Sequence, residues 1–311
     1  MFKKRILINF PTNIGDTVLT FPAFDLVRAS WPDSHIIAIV SPKTKDFLSR
    51  HTSIDEYILY DKRWALKQRV RFFVSMRGPY DLIVDFKNSL LPIFLRVPRR
   101  TPFIRRFPHH LHLKERYIQL VKNLVTIQKC AKGDFTITNA EQDKWDSYGL
   151  GNAIFIATSS HSSLKLYPLK QLKKIIHFFR SSYKIILLGD EQAKDYYADA
   201  ATIPGVIDLT GKTTFSEVYY LLKNFSLLCI AVDSSILHLA SYLDVPVVAI
   251  FGSTAGEKYG PWSREAKVIV REDLACRPCG RSSCSLNSAC MDIEAEQVIK
   301  AVEEMRIHES A

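Results

Sequence analysis

Short apolar runs alternate with amphipathic stretches along the whole chain. Residues 5–10 (RILINF) read as a first buried strand, and the turn formers Pro11, Thr12, Asn13 and Gly15 break it before Asp16. Val18, Leu19, Ala23, Leu26 and Val27 then recur at helical spacing as far as Trp31-Pro32-Asp33. Pro22 inside that pattern lacks an N–H, which predicts a bent or delayed helix. A strand over 35–40, a helix over 42–50 and strands over 57–60 and 82–85 follow, with a basic amphipathic stretch at 62–76 between the last two. This βαβ alternation predicts a parallel sheet with right-handed crossovers.

The plan then repeats. After Thr138 the chain is polar through Gly151, which places a domain edge there and divides the chain into 1–150 and 151–311. Residues 153–157 (AIFIA) open a second strand series, continued at 183–188, 206–209, 227–232 and 247–251, with helices starting at Tyr167-Pro168, over 215–225 and, last, over 293–307. Two α/β domains are the expectation for 311 residues of which 47% are hydrophobic.

Candidate chemistry gathers where strands end. Asp16 follows the first strand, and Gly189 and Glu191 follow the strand over 183–188, where a carboxylate can accept from a ribose or simply begin a helix. Thr158, Ser159, Ser160 and His161 supply hydroxyls and turn formers ahead of Lys165, a flexible point charge able to meet a phosphate. Asp233 stands where a helix N-cap belongs, ahead of Ser234 and Ser235, and N–H groups at such a helix start suit an anion. His238 falls ~200° around the helix from Ile236, which predicts that it lies off the apolar face.

A net charge of +10 calls for an anionic partner. The positive charge concentrates in 96–116, where Arg96, Arg99, Arg100, Arg105 and Arg106 meet no acid before Glu115, an anion-facing surface suited to phosphate or anionic lipid. The cations lack interleaved aromatics or a reader motif, so nucleic acid is not expected. No run reaches the ~18 apolar residues of a membrane span, and the basic start is too short in its apolar part for a signal peptide, so a cytoplasmic location is expected. There the six cysteines stay reduced. Cys276, Cys279, Cys284 and Cys290 form C-x2-C-x4-C-x5-C, a spacing able to hold a structural zinc, with idle thiols as the alternative.

Three segments together carry a family resemblance: ILINFPTNIGDTVLTFPAFDLVRASWPDSHI, HLHLKERYIQLV and AVDSSILHLASYLDVPVVAIFGSTAGEKYGP. In order and separation they resemble the lipopolysaccharide heptosyltransferases of glycosyltransferase family 9, and CRPCGRSSCSLNSACM is similar to a cysteine-rich stretch of some members. The resemblance implies a GT-B fold, two Rossmann-like domains facing across a cleft, with the last helix crossing back to the first. It implies a metal-independent, inverting enzyme that moves a sugar, heptose from ADP-heptose in the best-known members, onto a phosphorylated, lipid-linked core acceptor at the inner face of the inner membrane. Asp16 would then be the general base. Lys165, Ser234, Ser235 and His238 would neutralise the departing diphosphate, Asp233 would shape their loop, and Thr158, Ser159 and Ser160 would fall among the phosphate-contacting hydroxyls. Ser234-Ser235 stand where the family usually has Thr-Gly, which removes a glycine's close approach. The second reading is a non-catalytic nucleotide-sugar or glycan-binding protein that kept the fold, and an intact Asp16 favours the enzyme.

Overall fold

The computed structural model describes residues 3–127 and 129–305, and the chain divides into two compact units, Met1–Thr136 and Ile137–Ala311. In the first, β1 (Arg5–Asn9) is followed by α1 (Ile14–Val18), α2 (Phe21–Ser30), β2 (His35–Val40), α3 (Lys45–Leu48) and β3 (Glu56–Leu59). Then come α4 (Leu66–Ser75), β4 (Leu82–Asp85), α5 (Leu91–Phe94), β5 (Arg99–Arg100) and α6 (Leu113–Val121). The strands pair in parallel, in the order β3-β2-β1-β4-β5, with Leu7 of β1 opposite Ile37 and Ile83. Crossover helices cover both faces of such a parallel sheet, hence the unbroken apolar run of β1, whose Ile6, Leu7 and Ile8 are fully buried.

Pro22 splits the expected first helix in two. α1 stops at Val18, and Pro22 sits in the first turn of α2, where its missing N–H breaks no helical bond. The basic segment is less irregular than its prolines suggest, because Arg99 and Arg100 add a two-residue edge strand beside β4. After that segment α6 ends at Val121, and Gln128 lies outside the described residues. Beneath α2, His51 is buried among Phe21, Phe24 and Phe135, with ring centroids 5.3, 5.1 and 4.8 Å away. Burial pulls its pKa down to about 3.

The second unit begins with α7 (Asn139–Ser147), β6 (Ala153–Ala157), α8 (Leu169–Phe179), β7 (Lys184–Leu187), α9 (Lys194–Ala201) and β8 (Val206–Asp208). It continues through α10 (Phe215–Phe225), β9 (Ser226–Val232), α11 (Ser235–Leu243), β10 (Val247–Phe251), α12 (Gly256–Tyr259), β11 (Ala266–Val270) and α13 (Ala295–Glu303). Its six parallel strands run β11-β10-β9-β6-β7-β8. The chain starts in the middle, builds to one edge, and returns to build the other, so the order reverses between β6 and β9. Open α/β sheets bind ligands outside the carboxyl ends of the strands at such a reversal.

The polar stretch assigned to a domain edge is in fact helical. Thr138 and Glu141 form a capping box at the start of α7, and Trp145 is buried with its Nε1–H donating to Glu217 Oε1 at 3.0 Å, so α7 belongs to the second unit. The final helix rests on α8, β10 and β11, its Ala295, Val298, Ala301 and Val302 joining the second unit's core. Arg306 and Ile307, the end of that expected helix, lie outside the described residues.

Candidate functional site

At the second unit's reversal point, the loops after β6 and β9 are joined by an ion pair. Lys165 Nζ donates to Asp233 Oδ2 at 2.6 Å, and Asp233 Oδ1 lies 3.6 Å from His238 Nε2. Asp233 is 9% and His238 4% exposed, while the Lys165 side chain keeps 25% of its surface open. The His238 ring stacks on Trp262, centroids 6.1 Å apart and planes 18° apart. Two expectations change here. Ser234, and not Asp233, is the N-cap of α11, its Oγ accepting from Leu237 N at 3.4 Å, and His238 faces inward because Leu237 and Ala240, not Ile236, centre the buried face.

This geometry suits a phosphate group. Helix geometry leaves the N–H groups of Ser235 and Ile236 without an intrahelical acceptor, and the dipole adds about half a positive charge at that end. An ammonium has three donors, so Lys165 held by Asp233 through one N–H can turn others to an anion.

The serine loop is anchored from below. Tyr197 Oη accepts from the N–H groups of Thr158 and Ser159 at 2.7 and 3.1 Å, and the Thr158 hydroxyl lies 3.3 Å from both the Tyr196 and Tyr197 hydroxyls. Thr158 is wholly buried, so its expected contact with a ligand is corrected: it is a strut under the loop. Burial pushes both phenols' pKa values up, and neutral hydroxyls keep this network intact. Ser159 and Ser160 remain partly exposed, and His161 bridges Gln192 Oε1 at 2.8 Å and Asp190 Oδ2 at 3.1 Å.

Gly189 is the meeting point of three loops. A Cβ there would stand 2.7 Å from Ala193 Cβ, 3.1 Å from Ser159 Oγ and 3.3 Å from Thr210 Cγ2. Its carbonyl accepts from Gly211 N at 3.0 Å, and Glu191 lies against Gly211 with one oxygen 2.6 Å from Lys194 Nζ. Gly189 and Glu191 therefore stand together at the ends of β7 and β8. Tyr196, Tyr197 and Trp262 carry no local signal of these contacts in the sequence, where each reads as an ordinary apolar position.

In the first unit the order reverses between β1 and β4, and Asp16 follows β1. It occupies the first turn of α1, after the N-cap Asn13, whose Nδ2 donates to Asp16 Oδ2 at 3.2 Å. The loop is fixed by Thr17 Oγ1 donating to Asn13 O at 2.8 Å and Ser41 Oγ to Thr12 O at 2.8 Å. A carboxylate accepts at both oxygens, so Asp16, partly exposed, is able to take a proton. Beside it in sequence order, Asn9 Nδ2 donates to Asp85 Oδ1 at 2.8 Å across the reversal. Burial raises the Asp85 pKa against the pull of Ser89 and Arg105.

The five candidate arginines separate. Arg96, Arg99 and Arg106 are exposed, with Arg99 lying over the Trp31 ring. Arg100 reaches Val97 O at 3.3 Å. Arg105 departs from the surface role, folding inward to donate to the carbonyls of Phe86, at 3.2 Å, and Asp85. All four tail cysteines line one cavity of about 20 Å³, seated on Ser253 and Leu164. All six are free thiols, and among the described residues no three His, Cys, Asp or Glu are placed to hold a metal ion, so the zinc expectation gains no support.

Comparison with known proteins bears on what these sites serve. Residues 94–289, more than half of the chain, match the model of glycosyltransferase family 9 (heptosyltransferase). Lipooligosaccharide heptosyltransferase 2 of Campylobacter jejuni is 25% identical over 315 residues, covering 95% of this chain and 96% of that protein. Lipopolysaccharide heptosyltransferase 3 of Escherichia coli K12 is 23% identical, covering 94% and 95%. Among solved structures, the family 9 glycosyltransferase of Veillonella parvula superposes with a TM-score of 0.75 at 23% identity, covering 96% of each chain. E. coli ADP-heptose lps heptosyltransferase II gives 0.76 at 19%, covering 96% and 97%, and E. coli heptosyltransferase WaaC with ADP gives 0.72 at 18%, covering 96% and 99%. The two parallel-sheet α/β units are thus those of the GT-B heptosyltransferases, and the chain belongs to glycosyltransferase family 9.

Proposed function

We propose that the protein transfers heptose from ADP-heptose to the core of a lipopolysaccharide acceptor, inverting the anomeric centre. The observation that carries this reading is the Lys165–Asp233–His238 cluster at the start of α11, a ready anion site at the sheet's reversal point. The second unit holds the donor. Glu191 and Gly189 take the nucleoside end, Ser159, Ser160, Ser234 and Ser235 the diphosphate, and Lys165 meets the charge that grows on the leaving oxygen. The first unit supplies the base. Asp16 accepts the proton of the acceptor hydroxyl as its oxygen bonds to the anomeric carbon, while the bond from that carbon to the diphosphate breaks and its electron pair leaves with ADP. A partner stabilised this way makes one displacement enough.

The acceptor side is read from charge. Arg96, Arg99, Arg100 and Arg106 face a phosphorylated, lipid-linked glycan, and the basic first unit works against the anionic inner face of the inner membrane. Among the described residues no helix is long and apolar enough to cross a membrane. The test is transfer by the purified protein from a panel of nucleotide sugars, ADP-heptose included, onto truncated cores. A product heavier by one heptose is expected with ADP-heptose alone. Tight nucleotide-sugar binding with no product on any core would replace this reading with that of a binding protein.

A further inference from the structure

α4 carries apolar side chains on the side turned away from the protein. Phe72 and Met76 point into the first unit's core, yet Leu66, Val70 and Val74 are 74, 52 and 51% exposed. These three recur at i, i+4 and i+8, so they form one stripe within ~80° of the helix circumference. Lys67 and Arg71 border it on one side and Arg69 on the other, all exposed. The stripe does not stop at the helix. Phe73 meets Phe94 of α5 at a ring distance of 5.9 Å, Arg77 lies over that ring at 5.4 Å, and Leu90, Ile93 and Phe94 are themselves exposed.

Charge tells what covers this surface. Between Asp61 and Asp81 there is no acidic residue and six basic ones, and between Asp85 and Glu115 again no acidic residue and seven basic ones. A docking protein helix would need acids to match so many cations while still filling an apolar stripe. A bilayer with anionic headgroups supplies both at once, since an interfacial helix buries its apolar side at the acyl boundary and leaves lysine and arginine at headgroup level.

We infer that α4 and α5 form a bilayer-docking face, in which Leu66, Val70, Val74 and Phe94 enter an anionic phospholipid surface and Lys67, Arg69, Arg71 and Arg77 bind its headgroups. This rests on the membrane-facing reading above and gives it an address. None of these side chains has a part in donor binding or proton transfer as read above, so docking and turnover can be measured apart.

The experiment is co-sedimentation of the full-length protein with vesicles of phosphatidylcholine alone or mixed with phosphatidylglycerol, for the wild type and V70E/V74E. Folding is checked by circular dichroism, and transfer is measured on a lipid-free core in the same preparations. Wild-type binding is expected only with phosphatidylglycerol, falling as salt rises, and V70E/V74E should bind about tenfold less or worse while transferring to the lipid-free core at the wild-type rate. As a second readout, V70W should show a blue-shifted emission on addition of the mixed vesicles. Equal vesicle binding by V70E/V74E, or no shift in V70W, would overturn the inference. So would a wild-type dimer that V70E/V74E dissolves, because a second copy would then be the occupant. Loss of transfer in every preparation with vesicle binding intact would count against the transferase reading and leave the docking face standing.

Discussion

Lys165 and Asp233 lie 68 positions apart in the chain, and their side chains meet at 2.6 Å where the second sheet reverses its order. The pair explains why a lysine on a short loop can serve a phosphate: a carboxylate with little access to water fixes the position of the ammonium before any ligand arrives.

Removing the lysine should therefore harm both the reaction and the fold. Lys165→Ala is expected to lower kcat by about 10²–10³, as for the loss of a donor to a developing anion. It should also destabilise the protein by ~1–3 kcal/mol, because Asp233 is left buried without its ammonium. Asp233→Asn should lower kcat less, and a double-mutant cycle read by kinetics and by denaturant melts should show that the two losses do not add.

Asp16→Asn keeps the shape of its loop and removes the base. Transfer should fall by about 10²–10⁴ while ADP binding, followed by calorimetry, stays at the wild-type affinity. A parallel fall in ADP affinity would place Asp16 in donor binding.

His51 gives the first unit a pH limit. Burial holds its pKa at about 3 in the folded protein, against 6.5 for an ordinary histidine, and nearby Asp134 and Arg28 pull in opposite directions. The unfolded chain thus binds a proton that the folded chain refuses. Stability from this group is complete above the unfolded value and declines by ~1.4 kcal/mol per unit as pH falls from 6.5 towards 3. His51→Phe should flatten that slope in urea melts at pH 7, 6 and 5.

Gly189→Ala would force a methyl group within 2.7 Å of Ala193 Cβ. Overpacking of about 1–3 kcal/mol is expected, with weaker nucleotide binding because Ser159 must move as well. Thermal melts with and without ADP separate the two effects.

The thiols should fall into classes under a soluble disulfide reagent. Cys130 and Cys276 are exposed and should react first, whereas Cys229 is buried in β9, with burial pushing its pKa up to about 12, and should react only on unfolding.

The strands were legible because buried parallel strands are unbroken apolar runs: β4 and β10 fall on the expected residues. β11 was missed since AKVIV begins with a small residue and a lysine and lies at the sheet's edge, half exposed. At the candidate site, spacing brought Asp233 and His238 near one helix end, yet neither the Lys165 contact nor the Tyr197 anchor is visible locally, because each joins residues more than thirty positions apart. The inward position of His238 is not legible because α11 is apolar on most sides, so Ile236 and Leu237 are equally good centres for its buried face until the fold is known. The T-x-x-E signature at Thr138 and Glu141 was readable and would have turned the polar stretch into a helix.

That last helix decides where the second unit can be cut free. A fragment starting at residue 151 would lose Trp145, leave Glu217 without the indole and the Lys144 ammonium that reach it, and open the hydrophobic floor on which α7 rests. One starting at Ile137 carries its own lid, so nucleotide-binding studies on the isolated half belong with the longer piece.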